Sequence, residues 1–193
     1  MHDDPSNGYE AAAAEFMKLR SDTGAEVVGS WAASLPRHAK VLDIGAGYGH
    51  PIAPVLLRAG VQLSAIDAAP KMVAAFKHNF PDVRVACEAA EESDFFSETF
   101  DAILSVGLMF LLPEKTQIQL IPRIAAALKP NGQFLFSAPK QKYEWVDVLT
   151  GQTSWSLGAD RYGAILNQSG LTVTATHTDA GGSNYYTAGL RGQ

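Results

Sequence analysis

The stretch VLDIGAGYGHP, Val41 to Pro51, decides how this chain is read. A short run fit for a buried strand passes directly into three glycines spaced two apart, and a proline closes the stretch. Val41–Ile44 reads as a strand. GAGYG reads as the turn that carries the chain into a helix near Pro51, because proline suits the first helical turn. Gly45, Gly47 and Gly49 permit positive φ and leave room for a ligand to lie against bare backbone.

On either side of this turn, short apolar runs alternate with helix-period segments. The predicted strands are Val41–Ile44, Val61–Ile66, Val83–Cys87, Phe100–Ser105 and Gln133–Ser137, with helices at Ile52–Ala59, Pro70–Asn79 and Lys115–Leu128 between them. Gly60 and Asn131-Gly132 stand where helix stops belong. Strand–helix–strand repetition at this spacing implies right-handed crossovers and a parallel sheet covered by helices on both faces. The tail differs. After a helix at Ala159–Gln168, the strands Leu171–Thr178 and Tyr185–Leu190 are separated only by DAGGSN, too short for a helical crossover, so they form an antiparallel hairpin. The expected architecture is α/β, with seven strands, mostly parallel, and the last one reversed. Ahead of the first strand lie two helices, over 9–20 and about Glu26–Ser34, the second ended by Pro36.

Composition limits the function classes. The 193 residues are 47% hydrophobic and 18% charged, as in an ordinary globular domain, and 1–193 reads as one domain. A formal net charge of −5 with scattered Lys and Arg argues against a nucleic-acid partner. One cysteine, Cys87, excludes an internal disulfide and a cysteine-rich metal site, and no His/Asp/Glu spacing makes a metal site. Cys87 is expected as a small core residue. The acidic start MHDDPSNGYE lacks a signal-peptide pattern, and the longest apolar run, Ala102–Leu112, is too short to cross a bilayer. A cytoplasmic protein is expected.

In open α/β sheets, ligands bind beyond the carboxyl ends of the strands, beside the first strand where strand order reverses. Asp67 ends the second strand, 22 residues after Gly45, where a carboxylate can accept both hydroxyl protons of a ribose. The turn and the acid together point to a nucleoside-containing ligand. The dinucleotide pattern G-x-G-x-x-G fails, since counting from Gly45 the sixth position is His50. The acid just before the turn, Asp43, would repel pyrophosphate and attract an ammonium or sulfonium. These features favour S-adenosylmethionine over a nicotinamide dinucleotide.

VLDIGAGYG, then AIDAAPKMVAAF, FDAILSVGLMFLL and ALKPNGQFLF, in that order and spacing, resemble the class I, seven-stranded, Rossmann-like S-adenosylmethionine-dependent methyltransferases, over about residues 38–138. The segment after the fourth strand, Gly107-Leu108-Met109-Phe110, lacks the Asn/Asp-Pro-Pro-aromatic motif of members that act on nucleic acids or protein amides, which points to small-molecule chemistry. The resemblance implies a cofactor site formed by Asp43, Gly45, Ala46, Gly47, Asp67, Ala68, Met72, Glu88, Ala89 and Ser105. Glu88 would face the adenine amino group, the Ala89 amide a ring nitrogen, and Ser105 the methionyl part. It also implies a lid over 1–36. The face Tyr9, Phe16 and Arg20 is either a packing face or that lid, with Arg20 pairing the cofactor's carboxylate.

The stretch 139–157, rich in aromatics (Tyr143, Trp145, Trp155), is expected as a long loop forming the acceptor-pocket wall, with Asp147 as a polar anchor. Residues 158–193 complete the domain as the last helix and hairpin. For a base, His177 and Asp179 are the candidates, with His50 and Tyr186 behind them; a turn-stabilising role is the plainer reading of Asp179. The expected activity is direct methyl transfer to a small-molecule acceptor by a monomer or homodimer. The alternatives are a nicotinamide-dependent oxidoreductase and a non-catalytic adenosylmethionine-binding protein.

Overall fold

In the computed structural model, which describes residues 4–190, helices α1 (Tyr9–Leu19) and α2 (Ala25–Ala33) precede an alternating α/β core. The outer residues of the expected 1–193 domain, 1–3 and 191–193, lie outside the described residues. The core runs β1 (Lys40–Ile44), α3 (Ile52–Arg58), β2 (Gln62–Asp67), α4 (Pro70–Asn79), β3 (Arg84–Cys87), β4 (Phe100–Ser105), α5 (Glu114–Ala126) and β5 (Leu128–Ser137). There follow β6 (Lys142–Val146), β7 (Thr153–Leu157), α6 (Ala159–Gln168), β8 (Leu171–Thr178) and β9 (Asn184–Leu190).

The main sheet has seven strands in the order β3-β2-β1-β4-β5-β9-β8. β1 pairs in parallel with both β2 and β4, so strand order reverses beside it. β9 runs antiparallel to both β5 and β8, which leaves β8 parallel to the first five strands. Strand alternation divides the core into two layers. Leu42, Ile44, Ile103, Phe134 and Phe136 pack on one face with Leu120, Ile121 and Ile124 of α5 and with Tyr162 and Ile165 of α6. Val41, Leu63, Ala65, Ala102 and Leu104 pack on the other with Val28 and Trp31 of α2, Leu56 of α3 and Phe76 of α4. Strands buried on both faces must be apolar along their whole length, and these runs are.

Four expectations are corrected. α5 ends at Ala126 rather than Leu128, because Leu128 already pairs with Phe100 as the first residue of β5. Asn131, at φ 64, lies within β5 instead of stopping a helix, beside the register shift between Phe100 and Ala102. The stretch 139–157 is not an open loop: β6 and β7 pair as a separate two-stranded hairpin. Cys87 is exposed at the end of the edge strand β3 rather than buried in the core.

Candidate active site

β1 ends in the glycine turn, and Gly45, Gly47 and Gly49 all take positive φ, at 78°, 57° and 92°. They do so for different reasons. A side chain at Gly45 would collide with Leu108, and one at Gly49 with the ring of Phe80. At Gly47 the nearest group is the Phe16 ring, at ordinary contact distance (3.8 Å). Only Gly47 therefore leaves its side-chain position to the cavity; the other two let neighbouring side chains pack against bare backbone.

The turn is fastened to β2. The amides of Gly45 and Ala46 donate to the Ile66 carbonyl (2.9 and 3.1 Å), and the Gly47 amide donates to Asp67 Oδ2 (2.8 Å). Asp67 Oδ1 accepts from the Ala69 amide at 2.9 Å, so each carboxylate oxygen holds one backbone N–H. Burial raises the Asp67 pKa, and those two hydrogen bonds oppose the rise. Asp43 lies behind the turn, 2% exposed, and its Oδ2 has no hydrogen-bond partner. Burial, with the nearby Asp67 charge adding to it, pushes its pKa up to about 7.

Across the carboxyl edge of the sheet runs a cavity of about 690 Å³, within the range of small-molecule sites. Of the predicted cofactor residues, Tyr9, Arg20, Gly45, Gly47, Asp67, Ala68, Met72 and Glu88 line it. Glu88 continues from β3, its amide donating to the Asp67 carbonyl (3.0 Å), and its Oε2 is shielded and without a partner. Asp43, Ala46, Ala89 and Ser105 lie behind the lining. Ser105 is fully buried at the end of β4, and its Oγ also lacks a partner.

α1 closes one side. Tyr9 meets Phe16 edge-on (5.3 Å between centroids), Phe16 meets Tyr48 of the glycine turn (6.4 Å), and the Tyr9 hydroxyl donates to Asp147 beyond β6 (3.3 Å). Arg20 donates to the carbonyls of Ser21 and Thr23. The predicted face of the N-terminal helix thus packs and lines the cavity at once.

His177 and Asp179 do not line the cavity, although Thr178, Gly181 and Gly182 beside them do. The Asp179 carboxylate accepts from the amides of Gly181 and Ser183 and from the Tyr185 hydroxyl (2.8 Å), which makes it the organiser of the β8–β9 turn. His50 is exposed, its ring beside Tyr48 and Phe80. Asp147 is engaged by the amides of Leu149 and Thr150 in the β6–β7 turn. Sequence reasoning missed Leu108, Phe110, Ser137, Asn184 and Tyr185, all of which line the cavity. Their signal was position: Leu108 and Phe110 follow β4, Ser137 ends β5, and Asn184 and Tyr185 open β9 after the β8–β9 turn. Among the described residues no cluster of three or more His, Cys, Asp or Glu side chains could hold a metal. No helix among them is long and apolar enough to cross a membrane.

Residues 41–132 match the model of a methyltransferase domain. An uncharacterized methyltransferase of Synechocystis is 30% identical over 154 residues, which cover 75% of this chain and 72% of that protein. This chain belongs to the methyltransferase family. A ubiquinone biosynthesis O-methyltransferase of Xanthomonas axonopodis is 33% identical over 53% of this chain, but the match spans only 44% of that relative. Among solved structures, the 1,6-didemethyltoxoflavin N1-methyltransferase of Burkholderia thailandensis superposes with a TM-score of 0.73 at 20% identity, over 96% of this chain and 90% of that one. The magnesium protoporphyrin IX methyltransferase of Synechocystis gives a TM-score of 0.76 at 14% identity, over 98% of each chain. The methyltransferase therefore has the Rossmann-like, seven-stranded fold of these enzymes, and the nicotinamide oxidoreductase alternative is set aside.

Proposed function

We propose that this methyltransferase transfers a methyl group from S-adenosylmethionine to a small-molecule acceptor. The observation that carries the reading is Asp67: it pins the glycine turn at the cavity wall, yet each of its oxygens is used once. An ionised carboxylate has about four acceptor positions, so about two are left for ribose hydroxyls. Glu88 Oε2, shielded and unpartnered, suits the donor amino group of adenine. Arg20 lines the same cavity and its guanidinium donates to the Ser21 and Thr23 carbonyls but pairs with no described carboxylate, which supports its pairing with the donor's carboxylate. Asp43, behind the turn with Oδ2 unpartnered, ionises more readily beside a positively charged ligand than beside a pyrophosphate.

When bound, S-adenosylmethionine supplies a methyl group activated on a positively charged sulfur, open to in-line displacement by the acceptor. The chain's own contribution is alignment and exclusion of water. The glycine turn and Asp67 fix one end, and the rings of Tyr9 and Phe16, the latter backed by Tyr48, cover it. Incubation with methyl-tritiated S-adenosylmethionine and a metabolite extract tests the activity: label should pass to low-molecular-mass products. Saturable adenosylmethionine binding with no transfer across a broad acceptor set would instead indicate a non-catalytic binding protein.

A further inference from the structure

Away from the adenosine end, the cavity wall is made of rings. Phe110, in the turn after β4, lies beside Trp145 of β6 (5.5 Å between centroids), and Trp145 lies beside Tyr143 (4.8 Å). Tyr143 pairs across the hairpin with Ser156 and Trp145 with Ser154, so both rings project from one face while Glu144 and Trp155 belong to the other. All three rings line the cavity, and Tyr143 keeps 48% of its surface exposed, more than a packing role needs. Pro139 and Lys140 continue the wall from the end of β5. The Lys140 ammonium forms no ion pair with any described residue.

The acids that line the cavity are grouped elsewhere: Asp67 ends β2, and Glu88 and Glu91 follow β3. Tyr9 and Tyr185 are pushed well above the ordinary phenol range, first by burial and then by their carboxylate partners Asp147 and Asp179, so neither is suited to take up a proton. Arg20, permanently protonated, cannot accept a proton. Among the described residues no histidine lines the cavity. The aromatic end thus offers stacking surface and positive charge, without a base.

Resting on the methyltransferase reading above, we propose that the acceptor is a planar aromatic molecule bearing an acidic hydroxyl, bound on the Phe110–Trp145–Tyr143 wall with its negative charge facing Lys140. Such an acceptor arrives already ionised. Its oxygen forms the bond to the methyl carbon as the carbon–sulfur bond breaks, with the electron pair remaining on sulfur. Anion and sulfonium become a neutral ether and a neutral thioether, and the protein takes no proton. A cationic amine would also suit the ring faces, but the unpaired Lys140 opposes it.

The test begins with the protein saturated with S-adenosylhomocysteine, whose binding is measured separately; failure of that step rejects the methyltransferase reading itself. Calorimetric titration of the complex with 4-nitrophenol and its ring-halogenated analogues, above the pH at which each hydroxyl ionises, should then show saturable binding. Trp145→Ala should weaken it about tenfold while Trp145→Phe largely preserves it. Lys140→Met should weaken it by a similar factor without changing the affinity for S-adenosylhomocysteine. In turnover, the pH at which kcat/KM rises should move with the acidity of the hydroxyl across a series of ring-substituted nitrophenols. A rise at one fixed pH for all of them would reveal a base on the enzyme and overturn the proposal. No nitrophenolate binding, or transfer only to aliphatic amines or thiols, would overturn it equally.

Discussion

Asp43 is a carboxylate shut away from solvent and, at Oδ2, without a partner. Its folded-state pKa of about 7 lies above the ordinary aspartate value, so the folded protein holds the proton longer than the unfolded chain does. Stability from this group is therefore greatest in acid. It declines as pH rises from the ordinary aspartate value to about 7, by up to roughly 4 kcal/mol at one unit per 1.4 kcal/mol. Asp43→Asn should match the parent protein near pH 4 in urea unfolding and exceed it increasingly towards pH 7. Parallel pH profiles would contradict the assignment. The glycines separate in the same way. Gly47→Ala meets only ordinary contact and should cost about 1 kcal/mol for its left-handed backbone. Gly49→Ala must also displace Phe80 and should cost about 2–4 kcal/mol, as overpacking adds to strain. Chemical denaturation of the two variants decides the order. The sequence made the turn and its positive φ legible, but not that two of the three glycines answer to Leu108 and Phe80, since those contacts come from distant segments.

At the level of elements, α1 is tied to the rest of the molecule by polar contacts at a few points. Tyr9 donates to Asp147, and Glu10 accepts from the Lys71 amide and pairs with its ammonium. Tyr9→Phe removes the link to the β6–β7 turn, worth about 1 kcal/mol. Amide exchange over 9–19 and 147–151 should quicken several-fold, with the central strands unchanged; unaltered exchange in both segments would show that the link holds nothing. Elements whose burial is set by their own pattern were legible to the residue: α4, β4, α6 and β8 lie where periodicity put them. The end of α5 was not, because Leu128 has helical spacing and only its pairing with Phe100 commits it to β5. The hairpin was not, although its aromatic residues alternate with polar ones at strand spacing, because each strand is only 5 residues long and pairs with no strand of the main sheet.

For the molecule as a whole, the seven-stranded sheet with its reversed last strand is legible in the sequence alone, because strand–helix repetition requires parallel crossovers and the short DAGGSN connection requires a hairpin. At the glycine-turn end of the cavity the lining residues Gly45, Gly47, Asp67, Ala68 and Glu88 were legible, because they follow one another along one turn and two strand ends. The aromatic end was not: Phe110 follows β4, Lys140 and Trp145 belong to the β5–α6 connection and Asn184 opens β9, and only the folded sheet brings them to one edge. The central claim is that the glycine turn and Asp67 hold the adenosine half of S-adenosylmethionine. Calorimetric titration with S-adenosylhomocysteine tests it most directly. The parent protein should bind one equivalent, and Asp67→Ala, still folded, should bind roughly 100-fold more weakly, as expected for the loss of two charge-assisted hydrogen bonds. Equal affinity in the two proteins, or no binding to the parent at saturating concentration, would contradict it.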